Sequence, residues 1–359
     1  MHIDRVVASL GRFAARMALV ALVGCGQIPH LEGATASGSR TQATPTISAT
    51  MPPASRPTPT QAASVFGTCR LPVIFPHPPG DTRAGWLDVP AGTYSPDPSS
   101  NLAGATVLAW DAGVGKWVPT EPKNISPDGM TYVAENVPSI EIVNARTGAI
   151  TLNVPFPNGS SLYVIGYTPS TIYFASGGKN PAPGVWKLDT TSGSLTQVSK
   201  ADGIWDLADD AAVWGTGFGS VTVRRLDLAT GVVTDVHRFG DPGYVEVGIA
   251  GLAGSGVLVI SSNAGYGGTE LSSVVVVHPD GSVAAVDVPL ALQHAALAWG
   301  SFQDGPTVLF KAYYPLDWPE PPAGLHAWGL AAFDPDHGLQ LLMKNTPPDM
   351  YFLGRCISP

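Results

Sequence analysis

The stretch SPDGMTYVAENVPSIEIVNARTGAITLNVP, residues 126–155, decides the fold of this chain. Three runs rich in Val, Ile, Thr and Tyr are separated by Pro, Asp and Gly, which indicates short strands joined by tight turns. The last turn begins at Asn144 and closes at Gly148. An Asn or Asp side chain at the first position accepts a hydrogen bond from a backbone N–H two residues on, and Gly adopts the positive φ that the end of the turn requires.

The same hairpin recurs along the chain. Its copies are VLAWDAGVGKWVP (107–119), IEIVNARTGAITLNV (140–154), VWKLDTTSGSLTQVS (185–199), VRRLDLATGVVTDVH (223–237), VVVVHPDGSVAAVDV (274–288) and LAAFDPDHGLQLLM (330–343). The polar first position is held by Asp111, Asn144, Asp189, Asp227 and Asp334, and His278 departs from it; the closing residues are Gly115, Gly148, Gly193, Gly231, Gly281 and Gly338. Turn chemistry accounts for these polar residues, so we interpret them as structural rather than catalytic.

Repeats of this length predict an all-β protein. Six hairpins over residues 69–356 have an average length close to that of a four-stranded propeller blade, roughly 40–50 residues. We therefore predict a β-propeller of six four-stranded blades. Seven blades stay an alternative, because the spacings before Gly281 and Gly338 have room for another hairpin.

A resemblance to known propellers supports this prediction. The segment SPDGMTYVAE, Ser126–Glu135, resembles the strand opening of TolB-type and related WD-like repeats, and the hairpins of the LDxxTG kind are similar to the same superfamily. The resemblance implies a propeller fold. It implies no particular activity, because propellers include scaffolds, binding proteins, lactonases and dehydrogenases.

The N-terminus has the features of an export signal. Arg5, Arg12 and Arg16 precede the short apolar run MALVALVG, which is too short to span a bilayer, and the segment ends in Leu-Val-Gly-Cys at Cys25. This resembles the bacterial lipobox, whose cysteine is acylated and becomes the first residue of the mature chain. The resemblance implies a signal peptide over 1–24 and a lipid anchor at Cys25; an ordinary secretory peptide with an incidental cysteine is the alternative.

A linker follows the anchor. Residues 33–64 are rich in Thr, Ser, Ala and Pro and contain few large apolar side chains, so they cannot bury enough surface to fold. We expect a disordered linker over 25–65 and the propeller domain over 66–359. The linker would hold the domain away from the membrane as an extended stalk.

The cysteines then divide by role. If Cys25 carries lipid, Cys69 and Cys356 remain as a pair in an oxidising compartment, near the two ends of the globular domain. We predict a disulfide between them that joins the first and last blades of the ring. Two free buried thiols are the alternative.

Sequence signatures of catalysis are absent from the chain, which contains no HExxH, CxxC, GxSxG or Walker-type motif. The candidate ligand-binding segment is the long loop YYPLDWPEPPAGLHAW, where Asp317, Trp318 and Glu320 combine an aromatic side chain with two carboxylates. A rigid packed loop is the alternative.

Two further candidates lie in predicted blades. Asp206, Asp209 and Asp210 in WDLADDAAVW could form an acidic or cation site, but the ADD part of this stretch is better explained as a solvated turn between two strands. His294 begins an apolar strand that could line the central channel, where a hydrogen-bonded, partly buried His is the commoner outcome.

These features predict a lipid-anchored extracytoplasmic protein of the bacterial envelope. We expect a monomeric, non-catalytic binding or scaffold module for an envelope protein, peptide or glycan, with no cofactor and no metal. The formal net charge of −9 disfavours nucleic acid as a partner. The alternative is a metal-dependent hydrolase, such as a lactonase, with its site at the channel mouth; it would need Glu, Asn, Asp or His side chains from several blades at one cation.

Overall fold

A computed structural model describes residues 67–75, 83–105, 107–136, 139–156, 162–176, 184–217, 220–240, 245–263, 270–292, 296–314, 327–346 and 350–357. The strands are β1 (Cys69–Phe75), β2 (Arg83–Val89), β3 (Tyr94–Pro96), β4 (Ala109–Asp111), β5 (Lys116–Val118), β6 (Thr131–Asn136), β7 (Ser139–Asn144), β8 (Ile150–Pro155), β9 (Leu162–Tyr167), β10 (Thr171–Ser176), β11 (Val185–Asp189), β12 (Leu195–Ser199), β13 (Ile204–Ala208), β14 (Ala212–Thr216), β15 (Thr222–Asp227), β16 (Val233–Arg238), β17 (Val245–Ala253), β18 (Gly256–Asn263), β19 (Glu270–Val277), β20 (Val283–Ala285), β21 (Ala296–Asp304), β22 (Thr307–Tyr314), β23 (Ala327–Asp334), β24 (Gly338–Thr346) and β25 (Tyr351–Phe352).

The helices of the described ranges are single short 3-10 turns. The 3-10 helices in the described ranges are Pro98–Ser100, Pro122–Asn124 and Leu290–Leu292. No helix in these ranges is long and apolar enough to cross a membrane.

The strands form a six-bladed β-propeller, as the repeats predict. Blade 1 has the strand order β25-β1-β2-β3, and blades 3 to 6 are the antiparallel meanders β9–β12, β13–β16, β17–β20 and β21–β24. Blade 2 contains β6–β8, with Ile125 paired to Tyr132 at its inner edge in place of a longer strand. The first strands β9, β13, β17 and β21 contact one another from blade to blade, and β21 contacts β25, so these strands line the ring axis.

One of the six predicted hairpins does not belong to a four-stranded blade. The predicted hairpin at Asp111–Gly115 forms a separate two-stranded sheet, β4–β5, and not the outer half of a four-stranded blade. The outer hairpin of blade 1 is instead β2–β3, where the Gly92 N–H donates to the Asp88 carbonyl over 2.7 Å and Gly92 has a φ of 77°. The number of blades is therefore six, with a different hairpin in the first one and β4–β5 as an addition.

The core lies between the sheets. Each hydrophobic cluster joins two neighbouring sheets, and together the clusters run through blade 1, β4–β5 and blades 2 to 6 in order. A further cluster closes the cycle by packing Leu71 and Val73 of blade 1 against Leu330 and Met343 of blade 6. Because every blade is buried on both faces, ring closure is required to cover the first and last ones.

The tight turns have the predicted chemistry. The Oδ1 atom of Asp189 accepts the Thr191 N–H over 3.0 Å, and equivalent bonds reach Asp111, Asn144 and Asp334 from the residue two positions on and Asp227 from the third. The closing glycines Gly115, Gly148, Gly193, Gly231, Gly281 and Gly338 have φ between 65° and 85°. These polar residues therefore serve the turns.

The first and last described strands meet in blade 1. Val73 pairs with Phe352 and Ile74 with Tyr351, so the last strand becomes the inner strand of the first blade. Cys69 and Cys356 are joined in disulfide geometry with their Cα atoms 5.7 Å apart, within the usual 4.4–6.8 Å range. The predicted pairing of the segment near Cys356 with the segment near Cys69, which closes the ring, is confirmed.

A candidate binding site on the inner strands

Several sequence-predicted residues lie outside the described part of the chain. These are Cys25, His294 and the loop residues Asp317, Trp318 and Glu320. The loop joins β22 to β23, whose ends Tyr314 and Ala327 pair with each other. That end of blade 6 is opposite the end that carries the tight turn from Asp334 to Gly338, because antiparallel strands reverse direction at each turn.

The acidic stretch after Trp205 divides into two parts. Asp209 caps the β13–β14 turn, where its Oδ1 accepts the N–H groups of Ala211 and Ala212 at 2.7 Å each, and Asp210 is exposed in the same turn. Asp206 lies outside that turn, within β13. The interpretation of the ADD segment, residues 208–210, as a turn is therefore confirmed, and Asp206 lies in the strand before it.

Asp206 occupies a β-bulge. Trp205 pairs with Gly215 and Leu207 with Trp214, which leaves Asp206 as the extra residue. The first strands of blades 3 and 5 have a bulge at the same register, where the extra residues are Ile165 and Ala250. Bulges re-aim side chains and are frequent beside functional sites. A carboxylate here replaces an apolar side chain that packs between blades in the neighbouring repeats.

The surroundings of Asp206 combine exposure to solvent with nearby protein groups. Asp206 is exposed to solvent, yet desolvation by the neighbouring protein raises the pKa of its carboxyl to about 7, and the positive charge of Lys123 opposes this. Within the described ranges, no hydrogen bond or ion pair of the Asp206 carboxyl is found. A carboxyl with a raised pKa and no partner among the described residues is a candidate for binding or chemistry.

Two neighbouring side chains come from the preceding blades. Tyr163, on β9, donates its hydroxyl to the Trp205 carbonyl over 3.0 Å, and burial together with the charge of Asp206 raises the pKa of this phenol. Lys123 lies in the 3-10 helix before Ile125, which contacts β9; its Nζ is 5.4 Å from the centre of the Tyr163 ring. The Lys123 Nζ also pairs with a Glu121 oxygen at 3.2 Å, and both side chains are about half exposed.

We call Glu121, Lys123, Tyr163 and Asp206 the inner-strand cluster. Blades 2, 3 and 4 contribute to it in turn, and it offers one cation, two carboxyl groups and the face of one ring. The arrangement can pair with a charged ligand and pack against its apolar part. Three His, Cys, Asp or Glu side chains placed to hold a metal ion are not found in the described segments.

The sequence signal for this cluster was weak. In the sequence Asp206 stands out only together with its acidic neighbours, and Lys123 and Tyr163 stand in segments without a motif. The one usable signal was a charged residue in an otherwise apolar strand, IWDLA, in which strand period alone does not show where the side chain is directed.

Comparison with known proteins finds only distant structural similarity. No family model and no curated protein matches the chain. Solved structures similar to it include the dihydro-heme d1 dehydrogenase NirN (13% identity, 79% of this chain and 75% of that chain, TM-score 0.44) and a Bacteroides caccae protein of unknown function (9%, 80% and 100%, 0.43). The β-propeller domain of the Pyrococcus furiosus Trilobed protease is another (12%, 59% and 65%, 0.36). At these identities and TM-scores the similarities carry no argument about fold or activity.

Proposed function

We propose that this protein is a lipid-anchored β-propeller of the bacterial cell envelope that binds a protein, peptide or glycan ligand without chemical conversion. The anchor is inferred from the resemblance of residues 22–25 to a lipobox, and the stalk from the composition of residues 33–64. The rigid ring would then present its faces to partners outside the membrane.

The observation that carries the binding role is the inner-strand cluster. Blades 3 and 5 place apolar residues at the bulge, whereas blade 4 places Asp206 there, close to Lys123 and Tyr163. Such a departure from the local pattern costs stability and is typical of functional positions. The loop with Asp317, Trp318 and Glu320 is proposed as a second contributor to ligand contact.

A binding measurement tests this role. Purified wild-type protein is titrated with peptides from envelope proteins and with soluble cell-wall glycan fragments, and a Lys123→Ala variant is compared with Lys200→Ala. Lys200 is exposed beyond β12, so its removal makes the same charge change away from the cluster. We expect binding to one of the ligand classes that Lys123→Ala weakens and Lys200→Ala retains. Absence of binding, or equal loss in both variants, would contradict the proposal.

The anchor needs a separate test. In cells that express the full chain, Cys25→Ser should move the protein from the membrane fraction to the soluble fraction, because acyl chains supply the membrane affinity. Cys69→Ser is the control and should leave the protein with the membrane. Unchanged membrane association of the Cys25→Ser protein would show that lipid at this cysteine is not the anchor.

A further inference from the structure

We propose that a groove between blades 5 and 6 binds a small apolar amine, whose ammonium group lies between Asp287 and His337. The groove has a volume of about 500 Å³ and is formed by the segment that follows β20 and by the turn that joins β23 to β24. The inner-strand cluster belongs to blades 2, 3 and 4, so this is a second site, and the inference does not depend on the proposed binding role.

The walls of the groove are mainly apolar. They include Val276, Val286, Val288 and Pro289 from the blade 5 side and Phe333 and Leu339 from blade 6. Sites for small molecules commonly have volumes of about 300–1,000 Å³ and combine apolar walls with a few polar groups. The size and the walls of the groove therefore suit a small ligand with a hydrocarbon body.

His337 departs from the turn pattern of the other blades. In blades 2, 3 and 4 the fourth residue of the outer turn is Thr147, Ser192 or Thr230, and its hydroxyl donates to the Asn or Asp that begins the turn. In blade 6 this position is held by His337, whose Nδ1 lies 2.8 Å from the Asp334 Oδ1. The imidazole serves the turn in the same way, but it also brings a second nitrogen to the groove.

Asp334 fixes the orientation and the tautomer of this ring. An ionised carboxylate can only accept, so the Nδ1 atom of His337 carries a proton and donates it, and in the neutral ring Nε2 keeps its lone pair. The Asp334 side chain is buried and accepts two more hydrogen bonds, from the Thr307 hydroxyl and from the Asp336 N–H, both at 3.0 Å. The ring is thus held by a fixed partner, and its second nitrogen can accept a hydrogen bond from a ligand.

The two polar side chains that line the groove are both acceptors. Asp287 is exposed on the blade 5 side, and no ion pair of its carboxyl is found among the described residues. The described lining residues include no Lys or Arg. A carboxylate and a bare imidazole nitrogen disfavour an anion and favour an ammonium group, which can donate three hydrogen bonds. The formal net charge of −9 acts in the same direction.

Three probes with one apolar chain and different head groups test the inference. Hexylamine, hexanol and hexanoate are titrated calorimetrically into the full protein at pH 8. We expect hexylamine to bind roughly tenfold more tightly than hexanol, because only the ammonium group combines charge attraction to Asp287 with hydrogen bonds to both acceptors. Hexanoate should not bind.

Two groove variants and one control then locate the site. His337→Thr keeps a hydroxyl that can donate to Asp334, as in blades 2 and 4, but removes the second nitrogen. It should weaken hexylamine binding about fivefold, the worth of one hydrogen bond. Asp287→Asn should also weaken binding about fivefold, as loss of an exposed ion pair does. Asp210→Asn makes the same charge change in an exposed turn of blade 4 and should leave binding unchanged.

Several outcomes would overturn the inference. These are absence of hexylamine binding, equal binding of hexylamine and hexanol, tighter binding of hexanoate, or equal effects of Asp287→Asn and Asp210→Asn. If leucyl-leucinamide binds in place of hexylamine and its N-acetylated form does not, the occupant is a peptide N-terminus and the small-amine inference is wrong. Circular dichroism shows whether each variant folds; if His337→Thr does not, the three probes and Asp287→Asn still decide.

Discussion

Val73, in the first strand of the described chain, pairs with Phe352, in the last. Blade 1 is therefore built from both ends of the described domain. Its inner strand is the last described strand, and its other three strands are the first three. The C-terminal segment forms hydrogen bonds with three neighbouring residues. The Leu353 N–H donates to the Pro72 carbonyl, and the Leu353 carbonyl accepts the Trp110 N–H. The Cys356 N–H donates to the Asp304 carboxylate over 2.9 Å. Ring stability therefore depends on this short segment.

Removal of the disulfide should loosen the ring. The chain-entropy model gives an upper value of about 5 kcal/mol for a loop of this length, and loss of a native disulfide usually costs about 2–5 kcal/mol. We expect the Cys69→Ser/Cys356→Ser variant to unfold at lower denaturant concentration than the oxidised wild type. Wild type with dithiothreitol is the control and should match the variant. Equal stability of oxidised protein and variant would mean that the bond adds nothing to closure.

Asp97 links blade 1 to the β4–β5 sheet through hydrogen bonds. Its Oδ2 accepts the indole N–H groups of Trp86 and Trp117 at 3.0 Å each, and Oδ1 accepts the Ser99 N–H and hydroxyl. Both indoles are buried. Asp97→Ala would leave two buried donors unpaired, at roughly 1–3 kcal/mol each. We expect a loss of about 2–4 kcal/mol by denaturant unfolding followed by tryptophan fluorescence.

The matched control for Asp97 is Asp88→Ala. Asp88 forms an exposed ion pair with Arg70 at 3.5 Å, and such pairs contribute at most about 1 kcal/mol. Although burial by itself would raise it, hydrogen bonds from Ser99, Trp117 and Trp86 hold the pKa of Asp97 at about 2, below its ordinary value of 3.8. Its stabilisation is therefore full above pH 3.8 and is lost as the pH falls through 2. Equal losses of unfolding free energy in Asp97→Ala and Asp88→Ala would contradict this role of Asp97. So would equal losses of stability in wild type and Asp97→Ala as the pH falls through 2.

The Ser-Pro-Asp-Gly turn packs tightly against β4–β5. Gly129 has a φ of 68°, and a Cβ atom there would lie 2.4 Å from the Asp111 Oδ1 and 2.7 Å from the Gly113 Cα. Gly115 has a similar φ of 65°, but a Cβ atom would meet nothing within 4 Å. Gly115→Ala should therefore cost only the backbone strain, about 1–2 kcal/mol, and Gly129→Ala should cost more. Thermal unfolding of both variants measures the difference, and equal costs would refute the tight packing.

Asp206 should make stability depend on pH. Because its folded pKa of about 7 exceeds the unfolded 3.8, the protonated group favours the folded state below pH 3.8, and this contribution disappears as the pH rises through 7. Asp206→Asn cannot ionise. We expect the melting temperature of this variant, relative to wild type, to be higher at pH 8 than at pH 4. Asp210→Asn should show no such difference between the two pH values; the same pH trend in both variants would argue against desolvation at Asp206.

The loop between β22 and β23 should affect binding but not folding. Substitution of Trp318 and Glu320 by Ala is expected to change the free energy of unfolding by less than about 0.5 kcal/mol, as isolated surface changes usually do, and to weaken ligand binding. Thermal unfolding and the titrations described above measure the two effects. A large loss of stability would show that the loop is structural.

Local chemistry explains which parts of the fold were predictable. The turns that begin at Asn144, Asp189 and Asp227 were predicted because an Asx side chain and a closing Gly specify a turn within five residues. The hairpin from Asp88 to Gly92 was missed, although it has the same five-residue form, because Val-Pro-Ala fills its centre where the other hairpins have polar residues. The hairpin of β4–β5 was placed in a full blade because its sequence does not show which strands pair beside it.

The candidate site could not be predicted because it depends on strand alignment and on contacts between blades. The bulge at Asp206 depends on how β13 aligns with β14, and the approach of Lys123 and Tyr163 depends on the contacts between blades 2, 3 and 4. None of these is encoded within a short window of sequence. The cysteine pair was predictable without such detail because it requires only that the two ends of a closed ring meet.

The central claim is that the termini close the ring through the first blade. The decisive measurement is non-reducing peptide mapping of the purified protein. We expect one disulfide-linked peptide pair that contains Cys69 and Cys356 and separates on reduction. Recovery of these two cysteines in separate peptides without reductant, or linked to other partners, would contradict it.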